Sequence, residues 1–147
     1  MSATDIAKAA MQGWMSKDAG SLTSLLSNDF VCRGFLPQAV DKLQFIGFAN
    51  AIMTAIPDWS FNEHFLHEHP FAEQSQEVLF VTSITGTHTG DLILPDLPII
   101  PATGTKIKFP NRNLEYTITG DTITTITGNF SRNVLEELLA QLGMVLP

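Results

Sequence analysis

Basic residues and cysteine are scarce in this sequence. Among its 147 residues, Lys and Arg number 8 against 15 Asp and Glu, which gives a formal net charge of -7. The cations are scattered, so there is no basic stripe to meet phosphates and we expect no nucleic-acid partner. The single cysteine, Cys32, excludes an internal disulfide and a cysteine-based zinc cage within one chain. These absences favour a reducing, cytoplasmic setting.

Long apolar runs are also missing. No stretch approaches the roughly 18 apolar residues of a membrane span, and residues 2–12 lack the pattern of a signal peptide, so we expect no membrane partner. Apolar residues still make up 44% of the chain and charged residues 16%, a composition typical of globular proteins. We therefore expect one soluble domain spanning residues 1–147.

The first half of the chain shows helical periodicity. Apolar residues between Ile6 and Leu26 recur at helical spacing and are interrupted around residues 18–20, which predicts two helical pieces joined by a turn. Residues 41–56 are apolar nearly all round, as expected of a helix buried on more than one side, and Pro57 ends it. A last helix is predicted over residues 133–142, closed by Gly143.

Beyond residue 59 the period changes from 3.6 to 2, which predicts strands. One strand, over 59–68, carries Phe61, Glu63, Phe65 and His67 on one face. A second strand, over 78–88, is apolar on both faces, which predicts a central strand. A hairpin is predicted over 114–127. A short strand is also predicted over 30–36. Helices first and antiparallel strands after them predict an α+β fold, a curled sheet with its concave face covered by helices.

Several short motifs in a fixed order carry a family resemblance. They are Ile56-Pro57-Asp58-Trp59, Gly86-Thr87-His88-Thr89-Gly90, a proline-rich loop ending in Thr103-Gly104, and Leu139-Ala140-Gln141-Leu142-Gly143. From about Ile6 to Gly143 the chain resembles the SnoaL-like polyketide cyclases of the nuclear transport factor 2-like superfamily. The resemblance implies a cone-shaped α+β barrel with a deep apolar pocket, usually dimeric through its sheet, that needs no metal or organic cofactor.

The chain departs from this family at one functional position. The cyclases place a general acid/base aspartate after the last strand and before the final helix. Residues 128–134 read Gly-Asn-Phe-Ser-Arg-Asn-Val and contain no carboxylate. The sequence therefore supports the fold more strongly than it supports cyclase chemistry.

His88 is the favoured candidate for acid/base catalysis. It shares a predicted strand face with Phe80 and Ile84. If that face is the inner one, an imidazole that titrates near neutral pH points into the pocket. The alternative is a histidine whose ring only hydrogen-bonds the loop around residues 95–101.

Glu63 and Tyr116 are the other catalytic candidates. If the face of Glu63 is inward, it is a buried carboxylate of the kind that acts as a catalytic acid or base; otherwise it is a solvated residue of an edge strand. Tyr116 is the single tyrosine. Facing inward, its hydroxyl would need a partner, and His88 or a ligand carbonyl is a candidate.

Three histidines, His64, His67 and His69, lie close together and raise the question of zinc. On a regular strand His64 points away from the other two, so the three cannot meet on one ion without a bulge. We therefore predict no metal site.

The predicted pocket-lining residues are mostly aromatic, and each aromatic residue could equally belong to the hydrophobic core. The pocket-lining candidates are Trp14, Phe45, Phe48, Trp59, Phe80, His67 and Asn129. Arg33 could be a pocket cation or a surface residue, and Asp91 and Asp96 could be rim carboxylates or turn formers.

Two functions follow from these residues. One is an enzyme similar to polyketide cyclases, in which a pocket base removes a proton beside a carbonyl and the enolate closes a ring, or a related acid/base isomerisation. The other is a non-catalytic protein that binds a small apolar or polycyclic molecule. In both cases we expect no cofactor and a homodimer.

Overall fold

The computed structural model describes residues 1–144, and the predicted α+β class is confirmed. The helices are α1 (Ala3–Met15), α2 (Ala19–Leu25), α3 (Lys42–Ala55) and α4 (Val134–Gln141). The strands are β1 (Leu26–Arg33), β2 (Val40–Asp41), β3 (His64–Ala72), β4 (Ser75–Thr82), β5 (Thr85–Thr87), β6 (Lys106–Lys108), β7 (Arg112–Thr119) and β8 (Thr122–Gly128). No helix within residues 1–144 is long and apolar enough to cross a membrane.

Six strands form one curved sheet in the order β2-β1-β8-β7-β4-β3, and β5 and β6 form a separate two-stranded sheet. The large sheet is mixed, because β1 pairs in parallel with β8 whereas its other pairs are antiparallel. The sequence predicted antiparallel strands throughout and did not indicate that β8 returns beside the first strand.

One face of the sheet is buried and the other is open. Alternate residues of β4 and β7, including Phe80 and Tyr116, are buried in the core. Helix α1 covers this inner face against β4, β7 and β8, while α3 lies against β1. The intervening residues, among them Glu77, Leu79 and Glu115, form the outer face, on which no helix packs within residues 1–144.

Two predicted strands differ from the observed ones. The predicted strand over 59–68 begins at His64, and its pairing with β4 slips by one residue between Phe65 and His67, so Leu66 is an extra, bulged residue. The predicted strand over 78–88 is broken at residues 83–84 into β4 and β5, which belong to different sheets. The large sheet therefore ends before His88.

Candidate functional site

A largely apolar groove of about 710 Å³ lies between α3 and the loop that joins β5 to β6. We call it the α3 groove. The loop after β1, α3, the proline-rich loop and the start of α4 contribute its walls, with Leu36, Val40, Phe48, Leu94, Leu97 and Leu135 among the lining residues. A cavity of this size and character suits a small organic ligand.

The α3 side of the groove follows from local sequence. Asp41 caps α3: its side chain accepts from the Gln44 N–H, and the Gln44 side chain accepts in return from the Asp41 N–H. Gly47 leaves the wall open, since an added Cβ would meet nothing within 4 Å. Leu43 is 83% exposed beside it, an apolar side chain that a ligand could cover.

His88 holds the two ends of the proline-rich loop together. Its backbone N–H donates to the Thr105 carbonyl (2.9 Å), and its carbonyl accepts from the Gly104 N–H (2.8 Å). Its ring atom Nδ1 lies 2.8 Å from Thr103 Oγ1 and accepts from the Thr103 N–H (3.3 Å). The side chain thus contacts the loop that forms one wall of the groove.

The protonation state of His88 follows from these contacts. Because Nδ1 accepts from a backbone N–H, the neutral ring carries its proton on Nε2. Burial lowers the pKa of His88, opposed in part by the Asp91 carboxylate and the Gly90 carbonyl. Nε2 is buried and has no hydrogen-bond partner among residues 1–144. The structure therefore holds a neutral imidazole whose Nε2–H completes no hydrogen bond within residues 1–144, although the Gly90 carbonyl is near enough to oppose the fall in the pKa of the ring.

Tyr116 and Glu63 lie on the concave side of the sheet. Tyr116 is buried on β7 with its ring against Phe80, the ring centroids 5.9 Å apart. Burial, together with the nearby Cys32 and Glu63, raises the pKa of the Tyr116 hydroxyl, so it stays protonated. Glu63 is half-buried just before β3. Within the described chain no hydrogen bond joins His88 to either residue, so the three candidates do not form a hydrogen-bonded cluster.

Most of the predicted pocket-lining aromatic residues pack on one another. Trp14 is central, with ring centroids 5.9 Å from Phe45, 5.7 Å from Trp59 and 6.4 Å from Phe48. Of these residues, Phe48 also reaches the α3 groove. Phe80 is buried on β4. The indole Nε1 atoms of Trp14 and Trp59 are buried without a partner among residues 1–144.

The remaining candidates lie apart from the groove. His67 is exposed on β3, and Arg33 is exposed at the end of β1. Asn129 is exposed beside a separate cavity of about 380 Å³ that Arg112 and Ser131 also line.

The two loop aspartates have structural roles in the proline-rich loop, Asp91 through a hydrogen bond and Asp96 through its backbone conformation. Asp91 accepts from the Ala102 N–H (3.1 Å) and so closes the neck of the proline-rich loop. Asp96 has a φ of 63°, as expected of a residue in a tight turn.

Sequence reasoning missed two carboxylates. Asp58 accepts from the Thr87 N–H (2.7 Å) and hydroxyl (2.8 Å), so two of the motifs that carry the resemblance bind each other directly. Glu137 on α4 accepts from Ser131 Oγ (2.8 Å) and pairs with Arg112 (3.2 Å). It brings a carboxylate to the segment in which the family's aspartate is missing. No local motif indicated this, because Glu137 lies six residues beyond Ser131.

Comparison with known sequences gives no assignment. No protein-family model matches the chain. No curated protein sequence matches it either.

Comparison with solved structures does reveal similarity. A proposed polyketide cyclase from Pseudomonas putida KT2440 superposes with a TM-score of 0.67 at 17% identity, over 96% of this chain and 98% of that one. A proposed SnoaL-like polyketide cyclase from Jannaschia sp. CCS1 gives 0.64 at 14% identity, over 97% and 90%. A protein of ketosteroid isomerase-like fold from Catenulispora acidiphila, in complex with trimethylamine, gives 0.62 at 16% identity, over 97% and 95%. The chain therefore has the α+β fold that these cyclase-like and ketosteroid isomerase-like proteins share.

Proposed function

We propose that this protein binds a small apolar or polycyclic molecule in the α3 groove. The observation that carries the proposal is the groove itself, about 710 Å³ with mainly aliphatic walls. Four separate segments of the chain form these walls, and Leu43 leaves apolar surface open to water there. Covering such surface provides the main driving force for binding an apolar ligand.

Binding can be tested with the neutral fluorescent polycycle 1-aminoanthracene. Leu97→Asp places a charge in the groove wall and should weaken binding about tenfold or more, because the carboxylate must be desolvated. Ile99→Asp is the matched control, since Ile99 is 57% exposed on the same loop and does not line the groove. The affinity of Ile99→Asp for the dye should stay within about twofold of the wild-type value. The proposal would be contradicted if the wild type did not bind 1-aminoanthracene saturably, or if Leu97→Asp and Ile99→Asp lost affinity equally.

A second function, acid/base catalysis on the bound molecule, is supported by the uncommitted Nε2–H of His88. The Nε2–H of a neutral imidazole can donate a hydrogen bond to a carbonyl oxygen and stabilise the negative charge of an enolate. The enolate forms when solvent hydroxide removes the neighbouring C–H proton as water, as in ring closure by an aldol-type step or in isomerisation. The likeness in fold to the proposed cyclases favours this class of reaction.

The two functions predict different results for His88→Gln assayed with a polycyclic keto-ester. An enzyme that uses His88 should lose turnover by about 100-fold or more, while Ile99→Asp should retain it. A binding protein should show no turnover in the wild type. Equal turnover in wild type and His88→Gln would remove His88 from the reaction.

A further inference from the structure

The bulge at Leu66 changes which face of β3 its histidines occupy. His64 pairs with Val81, His67 with Leu79 and His69 with Glu77, and residues directly opposite each other in a sheet share a face. All three histidines therefore lie on the outer face. Glu68, opposite Val78, lies on the inner face, where it accepts hydrogen bonds from Thr4 of α1. On a regular strand His64 would point away from His67 and His69, but the bulge at Leu66 brings all three to one face.

His67 and His69 face each other through their ring nitrogens. The two Nδ1 atoms are 3.2 Å apart and the ring centroids 5.0 Å apart. Two imidazole ligands of a tetrahedral ion, each about 2.05 Å from the metal, have nitrogens about 3.3 Å apart. Without a metal, the contact requires that one ring donate its Nδ1–H to an unprotonated Nδ1 of the other. The observed spacing suits both a hydrogen bond and a chelate.

Carboxylates lie beside this pair. Glu77 is directly opposite His69, and Glu115 on the neighbouring strand β7 is within electrostatic reach of both Glu77 and His69. Two neighbouring carboxyl groups repel when both are ionised, and a bound cation would relieve that repulsion. The outer face thus brings two imidazoles and two carboxyl groups from three adjacent strands together.

We propose that His67 and His69 form a chelating site for a late first-row divalent ion such as Zn²⁺, with Glu77 able to supply a further oxygen ligand. Imidazole nitrogen is a preferred ligand of Zn²⁺, Cu²⁺ and Ni²⁺. With the side chains placed as they are, residues 1–144 contain no group of three or more His, Cys, Asp or Glu that could hold a metal ion. The pair therefore provides two ligands, and water or a rotated Glu77 completes the coordination. This site is independent of the proposed groove function.

Calorimetric titration of the untagged full chain with ZnCl₂ tests the site. We expect saturable binding of one ion per chain. His67→Gln and His69→Gln should each weaken binding by at least about tenfold, since each removes a ligand. Glu77→Gln should weaken it less, by several-fold. All three positions are on the open outer face of the sheet, so these changes leave the core intact.

His64→Gln is the matched control. It is the same exchange on the same strand and face, but His64 lies two residue pairs beyond His67, opposite Val81. Its affinity for Zn²⁺ should stay within about twofold of the wild type, because surface changes away from a site have small effects. No saturable heat, or equal weakening by His64→Gln and His69→Gln, would overturn the proposal.

Discussion

His88 joins the two ends of the proline-rich loop through both its backbone and its ring. Its backbone N–H, its carbonyl and its Nδ1 atom all contact residues 103–105. These contacts match the alternative in which the ring hydrogen-bonds the loop, although the partner is Thr103, just beyond the predicted range. Among the residues that the structure describes, they leave Nε2 without a hydrogen-bond partner, so they do not occupy the Nε2–H that the proposed acid/base chemistry would use.

We expect His88 to make the protein less stable in acid. Burial lowers the pKa of His88 below its ordinary value of 6.5, so the unfolded chain takes up a proton at a higher pH than the folded protein. This contribution to stability is complete above pH 6.5 and is lost as the pH falls through the lower pKa of the folded state. His88→Gln should therefore lose less stability than the wild type between about pH 7 and about pH 5.

Urea denaturation at several pH values measures this effect. His64→Gln is the control, because His64 is exposed, and its pH profile should follow that of the wild type. Parallel profiles for His88→Gln and the wild type would show that His88 does not titrate as described.

Among the elements, helices were more predictable than strands. Residues 41–56 were predicted as a helix, and α3 covers 42–55, because its apolar pattern, the cap at Asp41 and Pro57 all agree. For β3, alternation alone could not reveal the extra residue Leu66, since a bulge depends on the partner strand. One inserted residue placed His67 on the opposite face from Phe65.

The groove could not be predicted as a site for a related reason. Its walls come from segments around Leu36, Leu43, Leu97 and Leu135, which are far apart in sequence and share no motif. In the proline-rich loop, Leu94 and Leu97 line the α3 groove. The partner walls become apparent only once tertiary packing is known.

Helix α3 allows a direct test of its cap. Asp41→Ala removes the acceptor for the Gln44 N–H and should cost about 1 kcal/mol of unfolding free energy, whereas Asp41→Asn should cost little, because asparagine caps about as well as aspartate. Thermal denaturation followed by circular dichroism measures both. Equal loss in the two variants would indicate that the charge of Asp41 matters more than its capping bond.

At the scale of the whole molecule, the open outer face favours association. Leu79 and Val81 are only partly buried there, and Leu66 and Phe71 of β3 are exposed. We expect a homodimer through this face, because a second copy would cover the apolar side chains. The expectation concerns the sheet and leaves the α3 groove open.

Light scattering at micromolar concentration should give the mass of two chains. Leu79→Glu should shift it toward one chain, whereas Ile99→Glu, on the distant loop, should not. The buffer contains EDTA, because Leu79 lies opposite His67 and a metal ion bound on that face would alter the contact between the two chains. A wild-type mass of one chain would rule out a stable dimer.

The place of β8 in the sheet bears on how the protein is made. It is the last strand of the described chain, yet it lies inside the sheet between β1 and β7. Until the ribosome has released residues 122–128, β1 and β7 each lack a neighbour and present open edges. Such edges pair readily with other chains. The newly made chain can thus pair with other chains through these edges until residues 122–128 join the two halves of the sheet.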